Sequence, residues 1–292
     1  MTFQHVSTGD LDYDRCSYGS SKLAFRGPYR MPQAVDVAVI GGTETFGKFV
    51  VHPFPVLLEQ MCGRPVVNLG VVNGGIDSFR NDPIINEVAQ RARVCIVQVM
   101  GAQGLSNAFY RVHARRNDRF VAPTQKLCRL FPEIDFSEFT FVRHLLARLH
   151  TVCPARFEVV VKELQRVWMV GMTDLVHRLA MPVVLVWMAD HAPKSFADMD
   201  HDPLQPDPLY VTRKMLGTIA GKADGLVEIA RPTGSQPDLR GMVFSDLERP
   251  AAMTMPGPVL HGAVASALAQ VIAPVLEPIP DMGPRKRAPG RP

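Results

Sequence analysis

Short runs of apolar, mostly β-branched residues recur along the chain and predict the strands of a buried sheet. Their apolar side chains continue through both alternating faces, which is typical of strands covered on two sides. The runs are residues 35–40, 66–69, 95–100, 183–188 and 225–229.

Between these runs, apolar positions recur with a period near 3.6 residues, which predicts helices. The helical segments are about residues 55–62, 85–93, 137–150, 156–179, 211–219 and 259–276. Strands that alternate with helices favour a parallel sheet with helices on both faces. The sequence therefore predicts an α/β protein of three layers, α/β/α, with a mainly parallel, flavodoxin-like central sheet.

Glycine-rich turns follow the first three predicted strands. They are Gly41-Gly42-Thr43-Glu44-Thr45-Phe46-Gly47, residues 70–77 (GVVNGGID) and residues 101–107 (GAQGLSN). Open α/β sheets bind ligands at the edge where the carboxyl ends of their strands meet, so these turns predict a ligand site. The first turn would lift the Thr43 hydroxyl above that edge, beside backbone N–H groups.

The first turn and the segments after it resemble a known superfamily. Residues 41–47 are similar to the first block of the SGNH (GDS-type) esterases and acyltransferases, which often reads Gly-Asp-Ser-x-Thr-x-Gly. Residues 54–59 are similar to the helix after that block, and residues 65–71 to the second strand with its Asn-x-Gly turn. The resemblance covers residues 35–77 well and the rest loosely. It implies an ester hydrolase or acyltransferase that requires no metal or cofactor.

The resemblance also implies roles for particular residues. Thr43 stands in the place of the nucleophilic serine, and His261, beside the last helix, in the place of the general base. Gly74 and Gln103 would form the oxyanion hole, with a backbone N–H and a side-chain amide respectively. Asn73, beside Gly74, would contact the substrate.

The chain departs from the family pattern at several of these positions. Thr43 replaces serine, and Gly42 replaces the aspartate beside it. Gln103 replaces an asparagine, and Pro258 replaces the aspartate of the Asp-x-x-His motif that would orient His261. Threonine can serve as a nucleophile, but its methyl group crowds the attack. These replacements leave two interpretations open, a changed chemistry or a non-catalytic ligand-binding module on the same scaffold.

Residues 110–120 predict a basic loop near the site edge. Its charged and ring-bearing side chains include Arg111, His113, Arg115, Arg116 and Arg119, between Tyr110 and Phe120. Guanidinium groups suit phosphate, sulfate or carboxylate. The loop therefore predicts an anionic small-molecule or glycan substrate, such as one with an acyl-CoA donor. The alternative is a solvated loop whose charges pair with Asp118 and nearby acids.

Two further motifs offer alternative chemistries. Residues 42–48 fit the pattern Gly-x4-Gly-Lys of a phosphate loop, which would indicate a sulfuryl or phosphoryl transferase using Lys48. Phe49, however, replaces the magnesium-binding hydroxyl residue. A second Asp-x-x-His, at residues 198–201, lies in a loop rich in Asp and His that could bind a divalent metal or simply be solvated.

Composition and charge narrow the classes of protein. The net charge of +4 comes largely from the end of the chain, where Arg285, Lys286, Arg287 and Arg291 face only Asp281, so no nucleic-acid surface is expected. Five scattered cysteines without a CxxC pair are typical of reduced thiols. We expect neither a secretory signal nor a membrane-spanning run, and hence a cytoplasmic protein.

The predicted organisation is an N-terminal arm at residues 1–32, one α/β domain at residues 33–278, and a disordered basic tail at residues 279–292. The sequence does not predict an oligomeric state.

Overall fold

The structure, a computed structural model, describes residues 11–198, 202–203, 205–232 and 236–277 of the 292-residue chain. The predicted basic tail lies outside these residues. In the described part there are seven strands: β1 (Val37–Gly41), β2 (Val66–Gly70), β3 (Val94–Gln98), β4 (Tyr110–His113), β5 (Arg116–Pro123), β6 (Val183–Ala189) and β7 (Gly225–Ala230).

The helices of the described residues connect these strands. The α-helices are α1 (Thr43–Phe46), α2 (Phe54–Cys62), α3 (Ile76–Arg80), α4 (Pro83–Ala89), α5 (Gln125–Leu130), α6 (Val142–Val152), α7 (Pro154–Arg178), α8 (Arg213–Ala220), α9 (Arg249–Ala252) and α10 (Pro258–Leu276). Short 3-10 helices are Pro32–Ala34, Phe136–Glu138 and Asp246–Glu248.

Five of the described strands form one parallel sheet in the order β2-β1-β3-β6-β7. Val37 of β1 is in register with Val66 of β2 on one side and with Val94 of β3 on the other. Because all five strands run the same way, their carboxyl ends lie along one edge, and the glycine-rich turns follow the ends of β1, β2 and β3 there.

Both faces of this sheet are covered, which explains the continuous apolar runs. In β1, Val37 and Val39 belong to a core shared with α2 and α10, whereas Ala38 and Ile40 face the opposite core. That second core is the larger one and includes Trp168 of α7. The α/β class and the three-layer arrangement predicted from the sequence are therefore confirmed.

The segment expected to be a basic loop is instead an antiparallel hairpin of β4 and β5. Val112 and Phe120 pair across it and are buried, so an alternation of inward apolar and outward basic residues underlies the cluster of charge. The short helices α3 and α5 were not expected from the sequence either, because each is too brief for a periodic pattern to emerge.

The described part of the N-terminal arm packs into the domain. Tyr18, Leu23 and Phe25 belong to the larger core, and Phe25 forms a β-bridge with Cys16. Arg26, only 5% exposed, sends its guanidinium to the end of α1. There it donates hydrogen bonds to backbone carbonyls of Phe46, Gly47, Val50 and Val51.

Of the described helices, α10 is by length and composition apolar enough to cross a membrane, although no run of that kind was expected. Its inner residues Val264, Leu268 and Ile272 are buried in the smaller core. The helix packs against α2 and β7, as a core helix of an α/β domain does.

Candidate active site

A cleft of about 550 Å³ opens at the carboxyl edge of the sheet. Turns after β1, β2, β3 and β6 line it, together with β5 of the hairpin and the start of α6. Thr43, Asn73, Gly74 and Gln103 of the predicted site all lie in its wall. The sheet edge thus brings these four residues together, as expected from the order of the turns.

The amide of Gln98, at the end of β3, fixes the turn that carries Thr43. Gln98 Oε1 accepts hydrogen bonds from the Gly42 N–H (2.9 Å), the Thr45 N–H (3.2 Å) and the Thr45 hydroxyl (2.6 Å). A Cβ on Gly41 would lie 2.4 Å from the same oxygen, so only glycine fits there. A lone amide in an otherwise apolar strand was the available sequence signal for Gln98.

The other end of the Gln98 amide holds Glu44, because Gln98 Nε2 donates to Glu44 Oε2 at 2.7 Å. Burial raises the pKa of Glu44, and the negative charge of Asp207 raises it further. The hydrogen bond from Gln98 and the charge of Arg143 oppose that rise in pKa. Glu44 is therefore a carboxyl group in the cleft wall whose charge is poorly compensated.

Thr43 is partly buried, and its hydroxyl oxygen accepts a hydrogen bond of 2.9 Å from the Asn73 backbone N–H. Asn73 has φ of +57°, the left-handed region that non-glycine residues rarely adopt. Its side-chain amide donates to Asp118 Oδ2 at 3.2 Å. Asn73 thus connects the Thr43 hydroxyl to a carboxylate of the hairpin.

The hairpin supplies Asn117 and Asp118 to the cleft. Asn117 Oδ1 accepts from the backbone N–H groups of Gly75 (2.8 Å) and Ser78 (3.2 Å), which holds the turn after β2. Burial raises the pKa of Asp118, and its Oδ1 is buried without a hydrogen-bond partner in the structure. Sequence reasoning treated Asp118 only as a partner for the cations of this segment, and it missed Asn117.

The expected oxyanion hole is not supported by the hydrogen bonds of Gly74 and Gln103. The Gly74 N–H already donates to Val71 O at 3.0 Å. Gln103 Nε2 donates to Asp207 Oδ1 at 2.7 Å, which leaves Gln103 Oε1 buried without a partner. Because a carboxylate can only accept, this contact orients the amide and leaves Gln103 Oε1 as an unpaired acceptor buried within the cleft wall.

Arg143, at the start of α6, holds the other side of Asp207. It donates to Asp207 Oδ2 at 2.8 Å and to the backbone carbonyls of Pro203 (2.8 Å) and Gln205 (2.7 Å). Nearby charges, that of Asp207 first among them, raise the pKa of Arg143 despite its burial. Arg143 is thus committed to the wall of the cleft.

The expected general base, His261, lies elsewhere. It is 1% exposed, stacks on Phe54 and is not among the described residues of the cleft wall. Its Nδ1 accepts the Phe54 N–H at 3.0 Å, so the proton of the neutral ring sits on Nε2. Burial, followed by the charge of Arg26, lowers the pKa of His261 to about 3. This corrects the expectation, since the ring is a hydrogen-bond acceptor in the core.

The expected anion contacts also lie outside the described cleft wall. The guanidinium of Arg111 donates to Asn107 O, that of Arg115 to Lys22 O, and that of Arg116 lies 3.6 Å from Asp118. His113 Nδ1 accepts the Arg115 N–H. Arg111, His113, Arg115 and Arg116 therefore do not line the cleft, because the hairpin turns its acceptor-bearing residues inward and its cations outward.

The phosphate-loop interpretation is likewise not supported by the geometry. Helix α1 has four residues and ends at Phe46, with Gly47 as its C-cap, so Lys48 lies beyond it. Its ammonium is 3.8 Å from Glu248 and lies over the Phe49 ring, outside the described cleft wall. The second Asp-x-x-His falls partly on residues 199–201, which lie outside the described residues. Elsewhere in the described chain, no three His, Cys, Asp or Glu side chains are grouped as metal ligands.

A family model described as a domain of unknown function (DUF6473) matches residues 1–276. No curated protein matches the chain.

Three solved structures are similar in fold at low TM-scores. A gut microbial diltiazem-metabolizing enzyme has 13% identity and a TM-score of 0.39 over 84% of this chain and 48% of its own. A structural-genomics protein from Lactobacillus plantarum has 12% identity and a TM-score of 0.38, covering 82% and 97%. A lipase from a goat rumen metagenome has 11% identity and a TM-score of 0.37 over 81% of this chain and 97% of its own. The chain spans about half the length of the first structure.

Proposed function

The chain belongs to the DUF6473 family, and from its cleft we propose an ester hydrolase or acyltransferase in which Thr43 attacks the substrate carbonyl carbon. The observation that carries the proposal is the 2.9 Å hydrogen bond from the Asn73 N–H to Thr43 Oγ1. A donor on this oxygen leaves the hydroxyl proton free for a base and stabilises the negative charge that develops on the nucleophile. The sequence resemblance to the SGNH enzymes supports the same assignment.

Asp118 replaces His261 as the general base in this proposal. Asn73 donates one hydrogen bond to Thr43 and one to Asp118, so both groups are held beside the same residue. Burial raises the pKa of Asp118, and a carboxylate of raised pKa is a stronger base than an exposed one. The unpartnered Oδ1 leaves a lone pair for the proton.

The reaction then has two steps. Thr43 Oγ bonds to the carbonyl carbon and its proton passes to Asp118; the ester C–O bond breaks, and the alcohol leaves with that proton. Water, or an acceptor alcohol, next attacks the acyl-Thr43 ester, its proton passes through Asp118 to Thr43 Oγ, and the acid or new ester is released. The Thr43 N–H, first in α1 and without an acceptor in the described residues, supports the oxyanion.

The test compares Thr43→Ala with wild type in hydrolysis of p-nitrophenyl acetate and in intact-mass labelling by a fluorophosphonate. Loss of turnover by about 10³-fold or more, with loss of the adduct, is expected. Thr218→Ala removes an exposed threonine hydroxyl on α8 and serves as the matched control. Full activity of Thr43→Ala would overturn the proposal.

The second candidate, a non-catalytic ligand-binding module, is favoured by the burial of His261 away from the cleft. Under it, neither Thr43→Ala nor Thr43→Ser changes ligand affinity by more than about 1 kcal/mol, the net contribution of one neutral hydrogen bond. Under the esterase proposal, Thr43→Ser retains or raises turnover, because serine keeps the hydroxyl and removes the crowding methyl group.

A further inference from the structure

The described wall of the cleft is rich in acids. It contains four carboxylates, Glu44, Asp118, Asp190 and Asp207, and one cationic side chain, Arg143. This is the reverse of the charge expected for an anionic substrate. The ligand therefore has to be sought among molecules that bring positive charge or hydrogen-bond donors.

Three of these carboxylates have an ion pair. Asp207 contacts Arg143 at 2.8 Å, Asp190 pairs closely with Arg231, and Asp118 lies 3.6 Å from Arg116. Glu44, by contrast, has no ion pair within the described part of the chain; its one side-chain hydrogen bond comes from the neutral amide of Gln98. Glu44, Asp207 and Arg143 together leave one net negative charge on this side of the cleft.

An unpaired acceptor lies on the same side. Gln103 donates to Asp207, and its own Oε1 is buried without a partner. A buried carbonyl without a donor costs about 1–3 kcal/mol, so a ligand N–H placed there recovers that free energy. The uncompensated negative charge of Glu44 and the unpaired oxygen of Gln103 are independent observations. A protonated amine brings both a positive charge and a hydrogen-bond donor.

The electrostatics of Glu44 agree with this geometry. Burial, and after it the charge of Asp207, raise the pKa of Glu44, and the charge of Arg143 offsets only part of that rise. A bound ammonium group would lower that pKa, because an opposite charge favours the ionised carboxylate. Such compensation strengthens binding most where water is excluded.

Thr43 and Glu44 are consecutive residues of α1 that both line the cleft, so an amine bound at Glu44 lies in the same cleft as the attacked carbonyl. We infer that the substrate is an ester whose acyl group carries a protonated amine near the carbonyl, as in an aminoacyl ester, with Glu44 and Gln103 Oε1 binding the ammonium. This inference rests on the proposed function for the position of the ester alone.

The test uses two esters that differ in the amine, alanine p-nitrophenyl ester and p-nitrophenyl propionate, with spontaneous hydrolysis subtracted. Wild-type kcat/KM is expected to favour the alanine ester by about tenfold or more, because one charge-assisted hydrogen bond contributes about that factor. Glu44→Gln should bring the ratio towards one. Glu87→Gln, on an exposed glutamate of α4, is the matched control and should keep the wild-type ratio.

A binding arm separates this inference from the proposed function. Thr43→Ala is titrated with alaninamide and with propionamide while its melting temperature is followed. Stabilisation by alaninamide alone supports the amine site even where neither ester is turned over, an outcome that would defeat the proposed function only. Turnover of both esters at equal kcat/KM, or equal responses to the two amides, would overturn the amine site.

Discussion

The two ends of helix α1 carry buried polar groups of opposite kinds. At its C-terminal end Arg26 donates to four backbone carbonyls, and nearby His261 accepts the Phe54 N–H. At its N-terminal end the cleft contains carboxylates of raised pKa and two buried oxygens without partners. Burial of a titratable group is thus a poor guide to function, whereas an incomplete set of hydrogen bonds indicates a place for a ligand.

The largest expected effect is on catalysis, at the N-terminal end of α1, where the cleft lies. Asp118→Asn should lower kcat by about 10²–10⁴-fold, because the amide cannot accept the Thr43 proton. The fold should remain, since the amide oxygen can still accept from Asn73. Steady-state kinetics and circular dichroism check both points, with Asp246→Asn as a remote control. Near-normal kcat would remove Asp118 from the mechanism.

Arg26→Met tests the C-terminal end of α1, because methionine keeps an apolar stem and removes every hydrogen-bond donor of Arg26. The carbonyls of Phe46, Val50 and Val51 then lose their donor, whereas Gly47 O keeps the Val50 N–H. We expect the free energy of unfolding to fall by about 3 kcal/mol or more, since each buried unsatisfied group costs about 1–3 kcal/mol. Urea denaturation measures this. Arg15→Met is the control, because Arg15, like Arg26, lies over the rings of Tyr13 and Phe46. Equal stability of the two variants would contradict the role given to Arg26.

The buried ring of His261, near the C-terminal end of α1, should make the stability of the folded protein depend on pH. Its pKa is lowered to about 3 in the folded protein, from an ordinary value of 6.5. The neutral ring is therefore favoured by folding, and stability falls as the pH drops below the ordinary value towards the folded one, by up to about 1.4 kcal/mol per pH unit.

His261→Asn tests this dependence, because its amide oxygen can still accept the Phe54 N–H. Its melting temperature should fall less than that of wild type between about pH 7 and about pH 5. His52→Asn, on an exposed histidine, should behave as wild type. Parallel curves for all three proteins would show that His261 does not titrate in this window.

The smallest expected effect is on the melting temperature, through Glu44 at the N-terminal end of α1. Because the pKa of Glu44 is raised by folding, the group favours the folded state when protonated, and that contribution is lost as the pH rises through the folded pKa. Glu44→Gln imitates the protonated form. At neutral pH its melting temperature should rise by about 2–4 °C, the shift expected for roughly 1 kcal/mol. Calorimetry measures it, and a lower melting temperature would show that Glu44 is compensated.

Local patterns predicted the framework because the strands are apolar on both faces. The same patterns brought Thr43 and Asn73 to one edge, since both follow strands of a parallel sheet. The prediction that His261 lies in the cleft was wrong, because its place at the start of a helix does not determine the direction of the ring. Its hydrogen-bond partner Phe54 is also distant in sequence. Asp118 reaches Asn73 only because the hairpin folds over the edge, a tertiary contact without a local signal.

The contact of Arg26 with α1 has a practical consequence for anyone who trims this protein. A recombinant fragment that starts at residue 33 would look complete by sheet and helix content, yet it would lack the donor for four carbonyls around the turn that presents Thr43. Inactivity of such a fragment would then say nothing about the chemistry of the cleft. Any expression clone of the domain therefore has to include residues 11–32.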